Sequence, residues 1–192
     1  MKNKIVILIN GQGGVGKDTL CDFAINFFKA RSISSIDPIK KLARLGGWDG
    51  CKDASGRKLL AELKKAFIQY NNLPFNYVMK EYADFLATEE NILFVHVREP
   101  DEIEKLLNSI NCPCISLLIK NGDVVAWGNN ADDCVENFSY QYVFNNNMSL
   151  EKTQTSFIEF LKTILHENNT TILHENNTKK MENYTWAYAT IM

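Results

Sequence analysis

The chain has 192 residues, 45% of them apolar and 23% charged, which is the balance of a soluble single domain and excludes disorder or a fibrous repeat over most of its length. The 21 basic residues face 23 acidic ones for a formal net charge of −2, so no nucleic-acid partner is expected, because a groove for one needs a basic excess or a basic stripe. A small phosphate ligand needs only a few local charges and stays open.

Five apolar residues, Ile5 to Ile9, are too few for a secretion signal, and no run approaches the ~20 apolar residues of a membrane helix. The expectation is a cytoplasmic protein without a membrane partner. Its five cysteines are odd in number and scattered, which in a reducing compartment reads as free thiols. Cys112-Pro113-Cys114 offers two metal ligands with no second pair at zinc-site spacing, so no zinc is expected.

In chain order, 4–10 reads as a buried strand rich in Ile and Val, stopped by a glycine cluster. Gly11 to Gly16 is a glycine-rich loop, and 17–29 is a helix with Leu20, Phe23, Ala24, Phe27 and Phe28 at helical spacing. A short strand over 32–36 ends at Asp37-Pro38, and a short helix over 39–45 ends at Gly46-Gly47. Two helices follow, 56–70 and 75–87, split by Asn71-Asn72-Leu73-Pro74. A buried strand over 92–97 leads to a helix opened by Pro100 and Asp101. Strands over 114–119 and 140–145 flank an irregular stretch, 120–138, and Ser149 is a fair N-cap for a helix from 150 to about 165. Strands alternating with helices predict an α/β fold, a parallel sheet of about five strands covered on both faces.

The tail differs from the rest. The octapeptide 163–170 is repeated at once as 171–178, and Tyr184, Trp186 and Tyr188 then alternate with small residues in the manner of a strand with one aromatic face. Such a strand could add to a sheet edge in this chain or in a second copy, which puts a homodimer among the expected assemblies. The expected division is a domain over 1–165 and a C-terminal appendage over 166–192.

The most informative motif is Gly11-Gln12-Gly13-Gly14-Val15-Gly16-Lys17-Asp18-Thr19, which fits GxxxxGK between a buried strand and a helix. Glycines there let successive backbone N–H groups turn inward on a phosphate, and the helix N-terminus adds partial positive charge. Lys17 can reach the β- and γ-phosphates. The residue after the lysine, commonly a Ser or Thr that binds Mg²⁺, is Asp18 here, with Thr19 next. Asp18 is a candidate Mg²⁺ ligand, direct or through water, and it also suits the helix dipole; Thr19 is a candidate phosphate contact.

Beyond this loop the chain resembles the deoxynucleoside monophosphate kinases, within the adenylate-kinase-like P-loop kinases. The resemblance runs over about 3–165 and is carried by Gly16-Lys17-Asp18-Thr19, by Asp37-Pro38-Ile39-Lys40, by Trp48-Asp49-Gly50 with Lys52-Asp53, by Gly56-Arg57-Lys58, by Val97-Arg98-Glu99-Pro100 with Glu102, and by 142–151. It implies a three-layer P-loop NTPase fold, ATP and Mg²⁺ as cofactors, and transfer of the γ-phosphoryl group to a nucleoside monophosphate. It places that acceptor against helices 39–87, with a reduced lid over 120–138.

Such a reaction is mostly positioning and charge stabilisation, so cations matter. Only four of the basic residues are Arg: Arg31, Arg44, Arg57 and Arg98. Arg57 and Arg98 fall at a helix start and after a strand end, where open α/β sheets bind ligands, and with Asp37 and Lys40 they are the candidate acceptor contacts. Arg57 and Arg98 could equally form surface salt bridges, and Asp37 could cap its helix. Arg31 is expected to be structural.

Two positions depart from the family pattern. His96 stands where an acidic residue often reaches the metal, and reads as a satisfied core histidine, with Glu99 as the alternative acid. The 120–138 stretch holds no Arg, an Asp132-Asp133 pair, and Trp127, which could stack on a base or simply pack. Two alternatives therefore stand beside the monophosphate kinase. One is a P-loop kinase for another small metabolite, such as dephospho-coenzyme A or phosphomevalonate, with Asp37 as general base if the acceptor is a hydroxyl. The other is a non-catalytic nucleotide-binding module.

Overall fold

The computed structural model describes residues 4–51, 53–122 and 135–168. Its strands are β1 (Ile5–Asn10), β2 (Ala30–Ser34), β3 (Ile92–His96), β4 (Cys114–Lys120) and β5 (Tyr142–Asn145). Its helices are α1 (Lys17–Phe27), α2 (Asp37–Leu45), α3 (Ala54–Asn71), α4 (Leu73–Ala87), α5 (Pro100–Ser109) and α6 over 150–168, with one 3₁₀ turn at Val135–Asn137. The strands form a single sheet in the order β2-β3-β1-β4-β5, every pair parallel. This is the three-layer α/β fold expected from the alternation of elements.

Side-chain alternation along each strand sorts the core into two layers. Ile5, Ile7 and Ile9 share one face with Phe94, Ile115 and Leu117, under Leu20 and Ala24 of α1 and Phe157, Leu161 and Ile164 of α6. Val6 and Leu8 share the other with Leu93 and Val95, under Val78 and Phe85 of α4 and Ile103 and Leu106 of α5. β1 is buried on both faces, which is why it is apolar at every position up to Asn10. A third, smaller cluster of Ile39, Ala43 and Leu60, with Trp48, Phe67 and Leu73 packed against it, holds α2 to the hairpin of α3 and α4.

Most elements shift by one or two residues at an end from the sequence reading, and three of the differences are the most informative. β2 starts and ends two residues early, because Asp37 draws the Ser34 N–H onto its Oδ2 at 2.8 Å and closes the strand there. The four residues between α3 and α4 contract to Asn72 alone, which adopts the left-handed conformation (φ 54°) and donates its N–H back to Ile68. α6 runs on past 165 to 168, into the first copy of the octapeptide. The second copy, the aromatic tail, Trp127 and the Asp132-Asp133 pair lie outside the described residues. Among the described residues, no helix is long and apolar enough to cross a membrane, Cys21, Cys51, Cys112 and Cys114 are free thiols, and no group of three or more His, Cys, Asp or Glu is placed to hold a metal.

Candidate phosphate-binding site

In a parallel sheet every strand delivers its carboxyl end to the same edge, and that is where open α/β folds bind ligands. Here the five ends deliver the glycine loop from β1, Asp37 after β2, His96 and Arg98 from β3, Asn121 after β4, and Asn146 after β5.

The glycine loop is shaped by its backbone. Gly11, Gly14 and Gly16 have φ of 149°, 85° and 92°, values that L side chains rarely adopt. Two of the three also lack room for a side chain. A Cβ on Gly11 would stand 2.5 Å from the Ile119 carbonyl oxygen of β4, and one on Gly16 would stand 2.6 Å from Asn146 Nδ2. Lys17 follows at the first position of α1 and curls back, its Nζ donating to the carbonyls of Gly11 (2.5 Å) and Gln12 (2.8 Å). The ammonium is thereby held over the hollow of the loop rather than out in solvent. Asp18 and Thr19 are exposed at the helix mouth.

Asn146 fastens this loop to the far side of the sheet. Its backbone N–H donates to Lys120 (2.7 Å) and its Nδ2 donates to Val15 O (2.8 Å), while its Oδ1 accepts from Thr153 Oγ1 at 3.0 Å. Beside it lies a cavity of about 220 Å³ lined by Gly16, Thr19, Leu20, Asn121, Asn146, Met148, Leu150 and Thr153. It is continuous with the loop, mixed in polarity, and adjoins the exposed Thr19 hydroxyl.

On the other side of Lys17 the charged groups gather around His96. Its Nε2 lies 3.0 Å from Ser32 Oγ and 3.5 Å from Cys21 Sγ, and its Nδ1 lies 3.7 Å from Asp18 Oδ1. Burial pushes the imidazole down to about 4, against the pull of Asp18, so the ring is neutral at physiological pH; Lys17, Asp37 and Lys40 are near enough to act on it too. The reading of His96 as a satisfied core histidine thus agrees with its partners. Asp37 is tied at both oxygens, Oδ2 accepting from Ser34 N–H and Oδ1 pairing with Lys40 Nζ at 3.1 Å. It sits in the first turn of α2 rather than at the N-cap, which is Ile36.

Lys17, Asp18, Asp37 and Lys40 are therefore brought together. Arg98 leaves the end of β3 beside them, with its main chain fixed by the Asn10 amide at 2.9 Å. Arg57 stands exposed in the first turn of α3, carried by the outer helical layer instead of a strand end. Glu99 has another engagement: its Oε2 lies 2.5 Å from Lys64 Nζ, and Glu102 Oε2 lies 3.0 Å from the same ammonium. Glu99 and Glu102 also hydrogen-bond to each other; burial raises Glu102 to about 7, while Glu99 is held below the usual carboxylate range by Lys64 and that hydrogen bond against burial. Arg31 is structural as expected, paired with Glu81 at 3.1 Å and Glu90 at 3.2 Å.

Three contributors escaped the sequence reading. Asn146 falls within the 142–151 stretch that carries the resemblance, which assigns it no role in the site, and Thr153 lies two residues beyond that stretch; three consecutive asparagines at the end of a strand are an unusual polar concentration. Asn10 is a fully buried polar residue at the end of an otherwise apolar strand. Its signal was position: a side chain with both a donor and an acceptor at the entry to a glycine loop.

No family model matches the chain, and no curated protein matches it. Among solved structures it is similar to a shikimate kinase from Bacteroides thetaiotaomicron (15% identity over 82% of this chain and 98% of that one, TM-score 0.41). It is similar also to a gluconokinase from Sinorhizobium meliloti 1021 (11%, 88% and 97%, TM-score 0.47) and to the Mycobacterium tuberculosis APS kinase CysC in complex with AMPPNP and APS (11%, 84% and 99%, TM-score 0.44).

Proposed function

We propose that this protein transfers the γ-phosphoryl group of ATP to a small phosphorylated acceptor, a nucleoside monophosphate in the first instance. One observation carries the reading: a glycine loop of three positive-φ residues at a β1–α1 junction, with the Lys17 ammonium held over its hollow at 2.5–2.8 Å from two loop carbonyls. That geometry concentrates backbone donors, a helix dipole and a mobile cation on one tetrahedral anion. The cavity beside Asn146 adjoins the loop at Gly16 and Thr19, which supports the reading by offering space for a base attached to those phosphates.

Mg²⁺ fits the donors present. It keeps several waters and takes one or two carboxylates plus substrate phosphates, and Asp18, with a side chain 90% exposed beside Thr19, supplies one such carboxylate at the loop mouth. When bound, the ion neutralises charge on the β- and γ-oxygens. The chain's own residues do the rest. Lys17 exchanges its carbonyl partners for phosphate oxygens and follows the charge as it moves to the leaving group. Arg98 and Lys40 approach from the β3 and α2 side to hold the acceptor phosphate, with Arg57 reaching in from α3. An acceptor phosphate is already anionic, so no base is needed and neutral His96 stays a spectator that keeps the floor of the site uncharged.

A second reading, a hydroxyl acceptor, draws on Asp37: Ser34 N–H and Lys40 orient its carboxylate at the same edge. A coupled ADP-release assay over nucleoside monophosphates, dephospho-coenzyme A and phosphomevalonate separates the two. Monophosphate-dependent turnover abolished by Lys17→Ala and little changed by Asp37→Asn supports the first. Turnover with a hydroxyl acceptor that collapses in Asp37→Asn, with acceptor binding intact, supports the second. ATP binding without turnover across the whole panel sinks the monophosphate reading and most of the hydroxyl one, and favours a nucleotide-binding module.

A further inference from the structure

The Asn10 side chain is fully buried and makes three hydrogen bonds, using both donors and its carbonyl oxygen, to three different segments of the site. Its Oδ1 accepts from Gly11 N–H at 2.8 Å, at the entry to the glycine loop. Its Nδ2 donates to the Arg98 carbonyl at 2.9 Å and to Tyr140 Oη at 2.6 Å. Tyr140 Oη in turn donates to the Val135 carbonyl at 2.9 Å, tying down the 3₁₀ turn that leads into β5.

The backbone explains why a side chain is needed there. The β1–β3 ladder pairs Ile9 with His96, and its last bond is Val97 N–H to Ile9 O at 3.3 Å. Beyond it the two chains part, one into the glycine loop and the other towards α5. The Asn10 amide extends the ladder by one rung exactly where the main chain cannot. Gly11 is meanwhile pressed against Ile119 of β4, so the start of the loop has no freedom to follow Arg98 if that rung is lost.

We infer that Asn10 is a positioning residue: its amide locks the main chain of Arg98 and the Tyr140 segment to the first residue of the glycine loop, so that the two phosphate-holding sides of the site move as one body. The inference rests on the phosphoryl-transfer reading for its kinetic consequence, and on the hydrogen bonds alone for its structural one. Truncating the side chain removes the bonds to Gly11, Arg98 and Tyr140, while Lys17 and the loop glycines are untouched. Transfer should suffer through misalignment of the acceptor side, and a misplacement of about 1 Å is enough to cost ~100-fold.

The test pairs Asn10→Ala with Tyr140→Phe, which keeps the Arg98 rung and removes only the Tyr140 bonds. In Asn10→Ala, hydrogen–deuterium exchange should speed up at the amides of 97–99 and 135–140, with the helix α6 amides unchanged. In Tyr140→Phe the acceleration should be confined to 135–140, and this milder variant covers the case of an Asn10→Ala protein that does not fold. Kinetically, Asn10→Ala should lower kcat and raise the acceptor KM, for a loss of ~10- to 100-fold in kcat/KM for the acceptor, with the Kd for ATP within ~3-fold of the parent. A general loss of structure would instead lower Tm and the active fraction without separating acceptor from ATP.

Unchanged exchange at 97–99 in a folded Asn10→Ala protein overturns the inference, as does an acceptor kcat/KM within ~3-fold of the parent. If the parent protein turns over no acceptor, the phosphoryl-transfer reading fails by itself, and the exchange experiment still decides whether Asn10 makes the lock.

Discussion

Gly16→Ala separates backbone strain from steric displacement at the heart of the phosphate loop. Gly16 has φ 92° and ψ 16°, in the left-handed region, where a side chain costs about 1–2 kcal/mol. Its new Cβ would also stand 2.6 Å from Asn146 Nδ2, and relief to an ordinary contact of 3.4 Å needs a shift of roughly 0.8 Å. Asn146 has little freedom to give, since it is held by Val15 O, Thr153 Oγ1 and Lys120 O. Moving Nδ2 that far removes the Val15 bond, worth about 1 kcal/mol net. The expected loss is about 2–3 kcal/mol, together with at least a tenfold weaker ATP complex because loop and cavity wall are displaced together.

Gly47→Ala is the internal control. Its φ is 96°, yet no atom lies within 4 Å of the added Cβ, so it should lose only the strain of about 1–2 kcal/mol and bind ATP as the parent does. Urea unfolding gives both stability changes, and titration with a fluorescent ATP analogue gives both affinities. Equal stability losses with unchanged nucleotide affinity in Gly16→Ala would refute the Asn146 wedge.

Other consequences can be measured alongside. Glu102 keeps its proton in the folded state up to about pH 7, whereas the unfolded chain releases it near 4.5, so across that window the folded protein binds more protons and its contribution to stability falls as pH rises. Glu102→Gln should therefore gain stability relative to the parent as pH goes from 5 to 8, by on the order of 2–3 kcal/mol. Buried neutral His96 tilts the parent profile the other way between about 4 and 6.5, so the variant-minus-parent difference in urea unfolding is the quantity to read, and a difference flat in pH would contradict the assignment. Lys64→Met leaves Glu99 and Glu102 facing each other without their cation, and should cost about 3–5 kcal/mol at pH 8 and less at pH 5, where Glu102 is neutral. Phe157→Ala empties a fully buried site between the Phe144 and Phe160 rings, at an expected cost of about 3–5 kcal/mol by thermal or urea unfolding with no change in ATP affinity per folded molecule.

The parts of this architecture written most plainly in the sequence are those fixed by local chemistry. Uninterrupted Ile and Val runs announce β1 and β3, and a glycine loop followed by Lys17 announces a phosphate-binding turn whatever surrounds it. Boundaries set by distant partners are less legible. β2 ends early because a carboxylate three residues ahead takes an N–H, and Asn72 folds a four-residue linker into one residue because left-handed geometry suits an asparagine. The site repeats the pattern. Lys17, Asp18, Asp37 and Lys40 stand in the first turns of helices that follow strand ends, so position along the chain was enough to expect them at one edge of the sheet. Asn146 and Asn10 act across 131 and 88 residues of sequence, on Val15 and Arg98, and a single sequence offers no periodicity that links such partners. Glu99 shows the converse: an acid beside the site in sequence, whose nearest cation is Lys64 from another helix.

The central claim is that the glycine loop and Lys17 move a phosphoryl group rather than only bind one. The most direct measurement is transfer of ³²P from γ-labelled ATP to a nucleoside monophosphate by the full chain, with Lys17→Ala beside it. The account predicts labelled nucleoside diphosphate from the parent protein and a loss of at least 100-fold in the variant. Stoichiometric ATP binding by the parent with no labelled diphosphate from any nucleoside monophosphate, or equal transfer by Lys17→Ala, would contradict it.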